Sequence, residues 1–372
     1  MKKNIIRVVA VALFIVMLFG LQRLVTPKYM DDILEGSFIE EYYDETTNHD
    51  VIMVGDCEIY ENFSPITMWE EYGVTSYLRG SAQQLIWQSY YLLEETLKKE
   101  SPKVAVFNVL SMKYNEPQQE GYNRMNLDGM QWSQSKYNAI KASMMPNENM
   151  LDYVFPLLRF HSRITQLTES DFTYYFNKRK VTHNGYYMRA DVLPVGEVEW
   201  EEEKPEDYTF GDNAWYYLDK MRTLCEEHGT QLVLIKAPST SPVWYDEYEE
   251  QIEAYAAEYD LPYINYLELV EEVGIDYNTD TYDAGLHMNL SGAEKLAKHL
   301  GAYLVENFGL EDHRNDEAFA SVWKEKVDFY YEMKAAQEAE LEEFGFLKSF
   351  GGYTEEDEEE KYEEYDEEEY EE

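Results

Sequence analysis

Three residues have the types and placement that acyl transfer requires. Cys57 follows the run Val51-Ile52-Met53-Val54-Gly55-Asp56. An apolar run of that length, bounded by Gly-Asp, reads as a buried strand stopping at a tight turn. Far downstream, Asp283 and His287 lie just before a helical pattern. A nucleophile after the first strand and an Asp/His pair before the last helix are the parts of a nucleophile–base–orienter set. His287 would take the thiol proton, and the thiolate would attack an ester carbonyl. Asp283 would orient the imidazole, with Asp280 a rival for that role. The product would be a thioester on Cys57, which passes its acyl group to an alcohol as readily as to water. The plainer readings are a small buried cysteine, a loop histidine and a solvated loop aspartate. The turn position of Cys57 favours the reactive reading, because N–H groups there would lower the thiol pKa.

Strands and helices alternate around these residues. Strands are expected at Val51–Val54, Thr75–Leu78, Val104–Val109, Gln231–Ile235 and Pro262–Asn265. The helices between and after them are Pro65–Tyr72, Ala82–Lys99, Asn213–Glu227, Asp246–Tyr259 and Ser291–Asn307. Ser64 with Pro65 reads as an N-terminal cap, and Ser291 to Glu294 reads as a capping box. Five strands separated by helices predict an α/β fold, a parallel sheet covered on both faces. Right-handed crossovers put the strand ends, and any ligand, on one edge. Residues 110–211 are too long for a simple crossover and form an insertion with helical patterns at Asn149–Leu167. A helical extension follows at 311–353, with its helix from Asp316 to about Glu343. Thr354–Glu372 is nearly all Glu, Asp and Tyr, a self-repelling stretch expected to stay disordered.

The chain has 372 residues and a net charge of −44. That charge argues against a nucleic-acid partner, since phosphate binding needs a basic patch. There are only two cysteines, Cys57 and Cys225, so no disulfide framework supports the fold. Cys225 falls on the core face of an amphipathic pattern. His161, His183, His228, His299 and His313 show no metal spacing; no metal or cofactor is expected. At the N-terminus, Lys2, Lys3 and Arg7 precede an apolar stretch, Val8 to Leu21. No small-residue cleavage site follows, so residues 1–29 read as an uncleaved signal anchor. The flanking charge places the N-terminus in the cytoplasm and residues 30–310 outside a single-pass membrane span.

Gly55-Asp56-Cys57, Gly80, Asn108 and Asp283…His287 fall in the order of the SGNH/GDSL hydrolase blocks. Over roughly residues 45–308 the chain resembles that family. Within it, the chain is most similar to the anchored cell-envelope branch, with its DltD-type and AlgX/AlgJ-type polysaccharide acylation proteins. The resemblance implies a three-layer, flavodoxin-like sheet of five strands. It implies an oxyanion hole from Gly80 and Asn108, and a cell-envelope polysaccharide or acyl ester as substrate. A membrane-bound O-acyltransferase is an implied partner. The alternative it leaves is an inactive glycan-binding or accessory subunit. Asp56, Arg79, Lys236, Trp244 and Tyr245 are the further substrate-contact candidates; Trp244 and Tyr245 are either surface aromatics or a sugar-stacking platform. Three departures stand out. Cys57 replaces the family's Ser, Asp283 and His287 are one residue further apart than usual, and Asn108 lies in Phe-Asn-Val rather than Gly-x-Asn-Asp.

Overall fold

The apolar runs form one parallel sheet, and its strand order sets where the loops converge. The computed structural model describes residues 2–28, 38–174, 176, 180–198, 200 and 204–350. The acidic stretch 354–372 lies outside them. In chain order, α1 is Lys2–Val25 and α2 is Phe38–Glu41. The alternation then begins with β1 (Val51–Gly55), α3 (Cys57–Tyr60), α4 (Pro65–Tyr72), β2 (Ser76–Gly80), α5 (Ile86–Lys99) and β3 (Val104–Asn108). The insertion holds α6 (Glu120–Gly129), α7 (Gln134–Ser143), α8 (Met150–Val154), α9 (Pro156–Phe160) and α10 (Glu169–Thr173). The sheet resumes with α11 (Asp212–His228), β4 (Gln231–Lys236), α12 (Asp246–Tyr259) and β5 (Tyr263–Asn265). The chain closes with α13 (Val270–Val273), α14 (Leu290–Phe308) and α15 (Glu317–Phe344).

All pairings are parallel, in the order β2-β1-β3-β4-β5. This is the flavodoxin-like, doubly wound order, with its switch point between β1 and β3. Alternate strand residues feed two cores. Ile52, Val54, Ala105, Phe107, Leu232 and Leu234 pack with α5, α11 and α12 on one face. Val51, Met53, Val104, Val106, Val233 and Ile235 pack with α4, α14 and α15 on the other. Cys225 is buried in the first core, and both cysteines are free thiols.

Several boundaries moved for local reasons. The stretch Asn149–Leu167 is not one helix: Pro156 starts α9 and splits it from α8, since proline has no N–H to continue the first helix. The cap of α14 is Asn289, not Ser291. Its side chain accepts from the N–H groups of Ser291 and Gly292 at 3.0 and 3.3 Å. The first helical turn of α5 begins at Ile86, four residues after the expected Ala82.

Candidate active site

The sheet order brings the turn after β1 beside the loop before α14. Asp56 caps α3, accepting the Glu58 N–H at 3.2 Å. Cys57 is therefore the first residue of a helical turn, half-buried, and packed against Phe38, Tyr60, Val181 and Tyr187. The His287 imidazole lies close enough to the Cys57 thiol to act on its ionisation. Burial in this apolar setting pushes the Cys57 thiol up to about 11, with His287 pulling the other way. The expectation of a thiol lowered by its turn position is thus corrected: one four-residue helical turn does not offset the loss of water.

His287 is held by both oxygens of one carboxylate. Asp283 Oδ1 accepts the His287 backbone N–H at 2.8 Å, and Oδ2 meets Nδ1 at 2.6 Å. This uses Nδ1 and leaves Nε2 as the nitrogen for the thiol. The four-residue spacing suits this double attachment, and the loop geometry makes it possible. Ala284 and Gly285 have φ of 57° and 99°. Thr281 and Met288 close the loop as a bridge. A side chain at Gly285 would lie 2.2 Å from Thr240 Oγ1, so the bend needs glycine twice over. Asp280 is elsewhere. It accepts the Asp276 N–H at 2.7 Å and pairs with Lys295 at 2.5 Å. Its carboxylate serves the loop and α14 rather than the imidazole.

Glu61 is the residue that sequence reasoning missed. It is buried, its carboxylate lies 3.6 Å from His287 Nδ1, and it accepts the Tyr282 hydroxyl. Tyr282 in turn stacks on the imidazole, with centroids 6.1 Å apart. Burial raises the Glu61 carboxyl pKa. Burial disfavours the imidazolium, but the Glu61 and Cys57 charges and the Asp283 hydrogen bond raise the His287 pKa. The available signal was an i, i+4 spacing from Cys57, visible only once a helix is known to start there. Glu61, Asp283 and His287 also present ligand atoms within 4.8 Å of one another. Two acidic oxygens and one imidazole nitrogen are a hard-donor set with few ligands; here the nitrogen is already committed to Asp283.

The other expected residues fall into a different cluster. Asn108, fully buried, gives its amide hydrogens to Asp56 at 3.1 Å and Glu58 at 2.8 Å. Its oxygen accepts the Ala237 N–H at 3.1 Å. An amide has two hydrogens, so Asn108 has none left for an oxyanion. Lys236 is equally buried, with Nζ 2.8 Å from Glu58 and 2.7 Å from the Ala237 carbonyl. It is a structural ion rather than a substrate contact. Asp56 belongs to the same network; burial and the Glu58 charge push its carboxyl up to about 7. Arg79 is buried under α5, bonded to Leu92 O and Thr96 at 2.8 Å and to Glu95 at 2.9 Å. It too is out of reach of a ligand. Trp244 and Tyr245 pack into an aromatic group with Tyr208, Phe210 and Tyr248, and Trp244 donates to Glu249 at 2.7 Å. Gly80 ends β2 opposite Gly55. A side chain there would come within 3.1 Å of the Asp56 carbonyl, so glycine lets β2 approach the turn that carries Cys57.

Among known proteins, no family model matches the chain, and no curated protein matches it. Solved structures give loose overlaps. A putative acylhydrolase from Bacteroides fragilis NCTC 9343 is 11% identical, with a TM-score of 0.38 over 72% of this chain and 95% of that one. A GDSL-like lipase from Bacteroides thetaiotaomicron VPI-5482 is 12% identical, with a TM-score of 0.35 over 73% of this chain and 98% of that one.

Proposed function

We propose that the chain is an extracytoplasmic, SGNH/GDSL-like acyl hydrolase or O-acyltransferase acting on a cell-envelope polysaccharide, with Cys57 as nucleophile. The observation that carries this reading is the 2.6 Å Asp283–His287 bond beside the Cys57 thiol, on which His287 acts, at the strand ends where such sheets bind ligands. His287 takes the thiol proton as sulfur attacks an ester carbonyl. The tetrahedral intermediate expels the alcohol, which receives that proton, and a thioester remains. Water or a sugar hydroxyl then releases the acyl group by the reverse proton path. Gly80 keeps a place in this scheme as a backbone oxyanion donor, whereas Asn108 leaves it. The test is incubation of the ectodomain with a labelled acyl ester, followed by intact-mass analysis. The expected result is a hydroxylamine-labile acyl adduct that Cys57→Ala lacks and Cys57→Ser replaces with slower turnover.

Two observations favour a second reading, an inactive glycan-binding or accessory subunit of a membrane-bound O-acyltransferase. The thiol is raised to about 11, and the expected Asn108 donor is occupied. If Cys57→Ala still supports glycan acylation in cells, this second reading holds.

The location belongs to the same proposal. α1 has 24 residues, and its large apolar side chains from Ile5 to Met17 are exposed. That length is enough for a bilayer core of ~30 Å at ~1.5 Å per residue. Lys2, Lys3 and Arg7 orient it with the domain outside. Protease added to intact cells should digest the domain; full protection would reverse the orientation.

A further inference from the structure

α1 does not end in solvent. Its C-terminal turns pack against α9 and α10 of the insertion. Arg163 donates to the Val25 carbonyl at 2.8 Å, and Lys28 donates to the carbonyls of Arg23 and Leu24 at 2.8 Å. These bonds satisfy carbonyls that a helix end leaves open, so the insertion and the chain fix the exit angle of α1. Between α1 and the insertion lies a cavity of about 480 Å³. Phe19 and Gln22 line it from α1, and Met125, Trp132, Tyr153 and Phe160 from the insertion. Phe19 is 68% exposed, so the apolar surface of α1 runs into the cavity wall without a break.

One buried cation in the wall of this space has hydrogen-bonding capacity left over. Arg124 lines the cavity and is 5% exposed. Its Nε donates to Glu120 at 2.9 Å. Nη1 and Nη2 have no hydrogen-bond acceptor among the described residues, although they form ion pairs with Asp128 and Glu148 at 3.6 Å and the guanidinium lies 3.9 Å over the Tyr153 ring. Buried guanidinium hydrogens are rarely left unbonded. Arg23, Lys28 and Lys136 also line the cavity, against Glu40 and Asp128. The surrounding surface is equally unusual. Leu151, Phe155, Leu158, Ile164 and Phe172 stand between 42 and 58% exposed. Large apolar side chains concentrated in one short segment beside an apolar helix suit a bilayer interface better than water.

We propose that this cavity holds one phospholipid of the bilayer that α1 enters. Its phosphodiester sits among Arg23, Lys28, Arg124 and Lys136, which outnumber Glu40 and Asp128 in the lining, and one acyl chain runs past Trp132 and Phe160 toward Phe19. The insertion would then rest on the outer leaflet and set the height of the Cys57 site above it. This proposal depends on the anchor reading of α1, and its test separates the two. The full chain is placed in phosphatidylcholine–phosphatidylglycerol vesicles containing a phospholipid with a diazirine on its acyl chain. After photolysis, the labelled peptides are mapped. The expected result is label on α1 and on the peptides holding Met125, Trp132 and Phe160. Val154→Trp, at a partly exposed wall position, should remove the cavity label and keep the α1 label. A diazirine diacylglycerol, lacking the phosphodiester, should label the cavity less. Label on α1 alone overturns the lipid site and keeps the anchor. No label on α1 overturns both. Cavity label unchanged by Val154→Trp, or equal with diacylglycerol, overturns the proposed binding mode.

Discussion

Two clusters of ionisable groups share the carboxyl edge of this sheet, and they differ in how far their hydrogen bonding is closed. Asp56, Glu58, Asn108 and Lys236 are buried at 4% exposure or less, and each has its partners within the group or in the Ala237 backbone. Cys57, Asp283 and His287 are only partly buried, and the Asp283–His287 pair ends beside a half-buried thiol. A closed network fixes the edge; an open-ended one can pass a proton to something outside. The difference teaches that a charged residue at the end of a strand is not a ligand contact merely by position. Lys236 and Asn108 sit where a substrate would be expected and are spent on holding Glu58.

The sharpest way to break the comparison is to cut the open chain. His287→Ala should lower acyl-enzyme formation by roughly a hundredfold or more, the usual worth of a positioned base. Asp283→Asn should lose much of the same rate by disturbing the tautomer and ring orientation. Asp280→Asn should leave the rate alone and weaken the fold instead, since its carboxylate pairs with Lys295. Single-turnover acylation and thermal unfolding on the same proteins check both halves. Equal rate losses in the two aspartate variants would erase the distinction between loop support and orientation.

The closed network should fail differently. Lys236→Met strands Glu58, a carboxylate with 1% exposure, and breaking one partner of a buried pair costs ~3–5 kcal/mol. Lys236→Met with Glu58→Gln should recover most of that loss. Denaturant unfolding reads both. A single variant as stable as the parent would mean that water or Asp56 already carries the charge.

Legibility followed the same divide. The sheet was readable because Val51–Val54, Val104–Phe107 and Gln231–Ile235 are short apolar runs bounded by turn residues, and burial on both faces leaves little choice of state. The Cys57, Asp283 and His287 set was readable because each lies at an element boundary. The roles of Asn108, Lys236 and Arg79 were not, because burial depends on what packs above them, which no local pattern records. Glu61 was hidden for the same reason. Its neighbour is a loop more than 200 residues away, and only the strand order brings the two together.

The smallest predicted effect, and the finest probe of the open cluster, concerns where its proton rests. With the thiol up at about 11, Cys57 rests as a thiol at neutral pH, and Glu61 and Asp283 favour the protonated form of the imidazole beside it. Iodoacetamide labelling of Cys57 should therefore be slow at pH 7 and rise with pH, first as the imidazole loses its proton and becomes able to accept the thiol's. Cys225, at about 12 and buried in the first core, should label only on unfolding and serves as the internal control. The Glu61 carboxylate raises both groups. A negative charge favours the protonated form of each, so removing it must lower both values. Glu61→Gln should move the whole labelling profile to lower pH, making Cys57 more reactive at pH 7 without touching sulfur. His287→Ala should move it the other way, because the imidazolium is what draws the thiol down. A Glu61→Gln profile that overlays the parent would place the proton on Glu61 itself, leaving the imidazole neutral and ready as a base at rest.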